Sequence, residues 1–146
     1  MSACYLDTSA LAKWYIDEPG TESFERFVRE IEVAVISRLT MVELRCLLAR
    51  RRRAGDFDGY YERAGFDAFL RDLGAGHLHL HSFHDLRFLD AVELIERAEP
   101  VPLRTLDALH LTVAVDAGVE SLATADRIMA RAADALGMDL HWFGEG

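Results

Sequence analysis

Residues 103–126, LRTLDALHLTVAVDAGVESLATAD, constrain the fold more than any other stretch. Between Thr105 and Val115 the only charged side chain is Asp107. Leu106, Ala108, Leu109, Leu111, Val113 and Ala114 cover nearly the whole helical circumference, and a helix apolar on all sides belongs in the interior. Its lone carboxylate is then expensive unless it is paired, hydrogen-bonded or bound to a metal. Gly118 stops the helix, residues 120–124 read as a strand, and Asp126 follows that strand. Ligands of open α/β sheets bind beyond such strand ends.

The rest of the chain alternates in the same way. Residues 3–6 and 33–36 are short apolar strands, and residues 78–83 alternate as a third. Helical spacing runs over 10–16, 21–31 (with Thr21 as N-cap), 39–53, 57–73, 84–98 and 127–136. Phe88, Leu89, Val92 and Ile95 share one face of the 84–98 helix. Pro19-Gly20, Gly55, the Pro100 and Pro102 pair and Gly137 punctuate these elements. Residues 138–143 form a last strand. Strands separated by helices predict an α/β fold, a parallel sheet of about five strands flanked by helices on both faces. No linker or repeat divides it, so a single domain over 1–146 is expected.

Hydrophobic residues make up 51% of the chain, too many for disorder. No apolar run is long enough to span a bilayer and no basic-then-apolar leader opens the chain, so no membrane association and a cytoplasmic location are expected. Cys4 and Cys46 are read as reduced thiols. The net charge of −9 argues against nucleic-acid binding by the whole surface, though not against a local basic patch. Lys13 is the only lysine; all other cationic side chains of this kind are arginine, which suits bidentate contacts to phosphate or carboxylate.

Four acids share a pattern. Asp7 and Asp126 follow strands, and Glu43 and Asp107 lie in early turns of helices. If those helices start at one sheet edge, four carboxylates converge, and like charges so close need a cation. An all-oxygen cluster suits Mg²⁺ or Mn²⁺, which can activate water for attack at phosphorus. Each acid also has a plainer use. Asp7 and Asp126 could cap helices, Glu43 could compensate a helix dipole, and Asp107 could pair with Arg104 one turn earlier. Other phosphate chemistries fit poorly. There is no glycine-rich loop ending in Lys-Ser or Lys-Thr, and an aspartyl nucleophile at Asp7 would want a lysine late in the fold.

LDTSAL at 6–11, TMVEL at 40–44, LDALHL at 106–111 and ATAD at 123–126 together resemble the PIN domain, and more narrowly the VapC-type toxins of bacterial toxin–antitoxin pairs. The resemblance covers essentially the whole chain. It implies a PIN-like fold and a Mg²⁺-dependent (or Mn²⁺-dependent) endoribonuclease whose metal-held water leaves a 5′-phosphate. It places the family's catalytic and metal-binding acids on Asp7, Glu43, Asp107 and Asp126, with supporting hydroxyls on Thr124 and Ser9. It also implies a cognate VapB-type antitoxin, a tRNA or rRNA substrate and a homodimer. The rival reading is a PIN-like fold that binds nucleic acid or protein without cutting.

Other features are read from the residues. Arg50, Arg51, Arg52 and Arg53 form the densest basic run, either a solvated, dipole-favoured helix end or an RNA contact. His77, His79 and His81 should share a solvated strand face. His110, one turn after Asp107, is read as a hydrogen-bonded core histidine that could orient a carboxylate. Trp14 and Tyr15 are core or interface aromatics. The walls of an antitoxin groove are expected from the helices at 10–16 and 39–53.

Overall fold

Alternate residues of the first strand enter two separate cores, and this split sets the layers of the fold. The computed structural model describes residues 3–146; the first two residues of the expected 1–146 domain lie outside it. Strand β1 (Ala3–Leu6) sends Cys4 and Leu6 to one core and Tyr5 to the other, as the two-residue period requires. Strands β2 (Val33–Ile36), β3 (His79–Leu80), β4 (Ser121–Thr124) and β5 (Asp139–Trp142) complete a sheet of order β3-β2-β1-β4-β5. Every pairing is parallel, as the alternation of elements predicts.

Parallel neighbours need crossover connections, and the helices supply them on both faces. Helices α1 (Thr8–Leu11), α2 (Thr21–Glu30), α3 (Arg38–Arg53) and α4 (Gly59–Gly74) surround Leu6, Leu11, Phe24, Leu44, Leu48 and Phe69. Helices α5 (Phe88–Arg97), α6 (Thr105–Asp116) and α7 (Arg127–Ala135) surround Tyr5, Leu94, Leu111, Leu122 and Met129. In α6 every residue from Asp107 to Ala114 is buried, so the all-round apolar helix is an interior one. Leu106, just before them, is 43% exposed.

Several boundaries differ from those read in the sequence. The 10–16 helix is a single turn, α1, followed by a 3-10 turn over Ala12–Trp14. Gly20, not Thr21, caps α2; its φ of +96° is open to glycine, and a Cβ there would lie 2.9 Å from the Phe143 carbonyl oxygen. The Thr21 hydroxyl instead accepts from the Glu18 N–H and donates to the Ile16 carbonyl. The third strand is only two residues long. It is an edge strand whose last ladder bond runs from the His81 N–H to the Ile36 carbonyl, after which the chain turns through Asp85–Arg87. Helix α5 then meets the core through Ala91 and Leu94, the small alanine allowing close approach to α6. Its other face, with Phe88, Leu89, Val92 and Ile95, is left exposed.

The sheet order reverses direction at β1. From β1 the chain winds outward through β2 and β3, then returns to the other side of β1 for β4 and β5. Open α/β sheets bind their ligands at such a reversal, beyond the carboxyl ends of the strands. Asp7 and Thr124 stand there.

Candidate active site

The site begins with one carboxylate. The Asp7 N–H donates to the Ala123 carbonyl at 2.9 Å, extending the β1–β4 ladder by one bond. This sets the Asp7 side chain beside the end of β4. Asp7 precedes α1, yet its carboxylate caps nothing. Its Oδ2 accepts from the Thr124 hydroxyl at 2.8 Å and from the Ser9 hydroxyl at 2.8 Å. Ser9 in turn accepts from the Ala125 N–H, and Thr124 accepts from the Asp126 N–H. The carboxyl is buried, and burial raises its pKa. The His110 ring and the two hydroxyls oppose that rise, and Glu43 adds to it.

Glu43 comes from the second turn of α3. Its Oε1 accepts from the Thr8 hydroxyl at 2.7 Å and from Nε2 of His110. Burial alone would raise its pKa. The His110 contact, the Thr8 hydroxyl and Arg104 outweigh burial and hold it below the usual range. His110 is 1% exposed, and its Nδ1 lies 2.7 Å from the Tyr5 hydroxyl. Asp7, Glu43 and His110 each offer an atom within 4.8 Å of the others. Two carboxylates and an imidazole at that spacing fit a divalent cation.

The other two acids form a second set. The Asp107 Oδ2 accepts from the Arg104 backbone N–H at 3.2 Å and from Arg104 Nε at 3.0 Å. Arg104 Nη2 reaches Asp126 Oδ2 at 3.1 Å. Asp126 Oδ1 meanwhile accepts from the N–H groups of Ile128 and Met129, capping α7. The cap use of Asp126 and the Arg104 pairing of Asp107 are therefore both present. Neither removes these residues from the site, since all four acids line one open groove of about 1030 Å³.

Other residues singled out in the sequence fall on different sides of this groove. Of the arginine run, Arg50 lines the groove. Arg51 is tied to Glu18 and Asp56, and Arg52 joins Arg45 on Glu62 of α4, so these two hold loops and helices together. Arg53 is exposed at the end of α3. His77 pairs with Asp72 and His81 with Asp116, on separate helices, so the three alternating histidines do not converge. Tyr15 is a core residue whose hydroxyl donates to Asp72, and Trp14 stacks on it. One wall of this groove is α3. The other is not the 10–16 segment, whose Ala10, Leu11 and Ala12 are buried in the core; it is Phe83, Phe88 and the start of α6.

Sequence reasoning missed Thr8, Tyr5 and Arg38, which also lines the groove. Tyr5 carried a signal. A tyrosine in an otherwise apolar buried strand must find a partner for its hydroxyl, and His110 had the same need.

A parallel sheet with acids gathered at its reversal point, supported by hydroxyls and an imidazole, defines an α/β domain whose acidic groove fits a divalent cation. The PIN domain family matches residues 4–135, and the chain belongs to that family. It is 37% identical to Ribonuclease VapC46 of Mycobacterium tuberculosis (strain ATCC 25618 / H37Rv) over 141 residues, 94% of this chain and 95% of that protein. The fold is similar to that of VapC20 from Mycobacterium tuberculosis, a sarcin–ricin loop cleaving toxin, with a TM-score of 0.69 and 18% identity over 92% of this chain and 95% of that one. It is also similar to VapBC2 from Rickettsia felis, solved bound to a DNA fragment from its promoter, with a TM-score of 0.64 and 14% identity over 97% and 98% of the two chains. Among the described residues, no helix is long and apolar enough to cross a membrane.

Proposed function

We propose that this protein is a divalent-metal-dependent endoribonuclease, the toxin of a VapBC-type toxin–antitoxin pair. The observation that carries this reading is the meeting of buried Asp7 and half-buried Glu43 at the sheet reversal, with separate donors aimed at each. The relationship to Ribonuclease VapC46 supports RNA as the substrate. Asp7 and Glu43 hold Mg²⁺ or Mn²⁺, directly or through water, and Asp107 and Asp126 complete the acidic set. A cation held there lowers the pKa of water and offsets charge at the scissile phosphate. Thr124 and Ser9 fix the orientation of Asp7, and Thr8 and His110 that of Glu43, so the acids need no reorganisation during reaction. Arg50 and Arg38 on the groove wall receive backbone phosphates. No side-chain nucleophile takes part, and the product carries a 5′-phosphate.

The substrate is a structured cellular RNA, tRNA or rRNA, and the enzyme works in the cytoplasm as one domain over 1–146. Its inhibitor is a VapB-type antitoxin that places an arginine or lysine among the four acids and lays an apolar segment along α3. The exposed face of α5 joins two copies into a homodimer. The test is incubation of purified, antitoxin-free protein with tRNA and rRNA in Mn²⁺. The wild type cuts, EDTA stops it, and folded Asp7→Asn does not cut. Equal cutting by Asp7→Asn would refute the site, and absence of any cutting by the wild type would favour a binding module.

A further inference from the structure

Arg38, Arg50 and Arg104 line the acidic groove, and among the described residues Arg104 is the arginine that bonds its carboxylates; its contacts are selective. Its guanidinium holds Asp107 and Asp126, and it holds both by Oδ2. Neither acid depends on the guanidinium for its position. Asp107 also accepts from the backbone N–H of residue 104, and Asp126 uses its other oxygen to cap α7. The Arg104 side chain is 67% exposed, so water competes for it and its hold is weak. The inner acids, Asp7 and Glu43, instead have hydroxyl and imidazole donors.

The geometry points to Arg104 as a displaceable internal counter-cation, a positioning residue that couples metal binding to RNA binding. The idea rests on the metal-site reading proposed above. In the RNA-free protein the guanidinium occupies the oxygens of Asp107 and Asp126 that a metal also needs, so the two cations compete. A phosphodiester entering the groove offers the guanidinium a bidentate partner. When Arg104 turns to that phosphate, the outer acids are released to the metal. Coupling of this kind is reciprocal: RNA tightens metal binding and metal tightens RNA binding. The protein thereby holds a weaker metal site when no substrate is present.

The experiment measures Mn²⁺ affinity by calorimetry on RNA-free protein, and RNA affinity in EDTA over a range of salt, where no cleavage occurs. Arg104→Gln should bind Mn²⁺ at least threefold more tightly than the wild type. Its RNA binding should weaken and lose about 0.7 from the salt slope, one phosphate contact on a single strand. Arg104→Lys keeps the charge without the two-armed bridge, so it should restore the salt slope while still binding Mn²⁺ more tightly; it also serves if the glutamine variant does not fold. A purely structural role would lower the metal-free Tm and leave Mn²⁺ affinity unchanged. Unchanged or weaker Mn²⁺ binding by folded variants would overturn the proposal. Asp107→Asn and Asp126→Asn separate the two readings. If they weaken Mn²⁺ binding while the Arg104 variants do not change it, the metal site stands and the coupling falls. If they leave Mn²⁺ binding at the wild-type level, the four-acid site falls and the coupling falls with it.

Discussion

The Tyr5 hydroxyl lies 2.7 Å from Nδ1 of His110, while the other ring nitrogen of His110 bonds Glu43. An ionised Glu43 can only accept, so Nε2 of His110 carries the proton of that bond. Burial pushes the Tyr5 hydroxyl far above the usual tyrosine range, so it remains a donor. Ser37, 3.0 Å from the same hydroxyl, continues the chain. A hydrogen-bonded line from Ser37 through Tyr5 and His110 thus fixes a groove carboxylate from within the core.

Tyr5→Phe removes the middle of that line and leaves Nδ1 of the buried His110 without a partner. Such a loss costs about 1–3 kcal/mol. In a chain of this length each kcal/mol lowers Tm by roughly 4 °C. Mn²⁺ affinity should fall as well, because Glu43 loses its fixed orientation. Thermal melts and Mn²⁺ titrations check both effects. Wild-type values for both would mean that the line does not position Glu43.

The pKa shifts of Asp7 and Glu43 have opposite consequences for stability. Asp7 is raised, so its ionisation opposes folding: its contribution is fully favourable below the unfolded value of about 3.9 and is lost as pH rises through the higher folded value. Glu43 is lowered, so its contribution is present above the unfolded value of about 4.3 and is lost as pH falls through the folded value. In EDTA at neutral pH, Asp7→Asn should therefore melt at or above the wild-type temperature, and Glu43→Gln below it. Both differences should shrink as pH falls to about 4 and below, the region where carboxylates protonate. Melting curves from pH 3.5 to pH 8 give the answer, and a destabilised Asp7→Asn at neutral pH would contradict it.

The arginine run divides by position. Arg50→Gln should weaken RNA binding and reduce its salt slope by about 0.7, with Tm unchanged. Arg52→Gln should lower Tm, because Arg52 helps Arg45 join α3 to Glu62 of α4, and should leave the slope alone. Salt-dependent RNA binding beside thermal melts separates them. A slope lowered equally by both would restore the run as one phosphate-binding surface.

Much of the fold was legible because its signals are local and periodic. The interior character of α6 followed from one charged residue in an apolar helix, and the parallel sheet from alternating elements. The third strand was overextended because His77, His79 and His81 keep a two-residue period beyond the last ladder bond. The exposed face of α5 was readable as apolar but not as unburied, since Ala91 and Leu94 make the better-fitting contact. The four acids were legible as types at strand ends and helix starts. Their division into two sets was not. It depends on Arg104 reaching Asp126 from 22 positions away and on His110 reaching Glu43 from 67 away, and no local pattern encodes such meetings.

Asp7 and Glu43 are the residues proposed to hold a divalent cation. Anomalous scattering from a crystal soaked in Mn²⁺ locates that ion directly. The expected result is a peak in the groove between the Asp7 and Glu43 carboxylates, with oxygen ligands at roughly 2.1 Å, and its loss in Asp7→Asn. A peak bound elsewhere on the chain, or no peak in crystals of protein that cuts RNA in the same Mn²⁺ buffer, would contradict it.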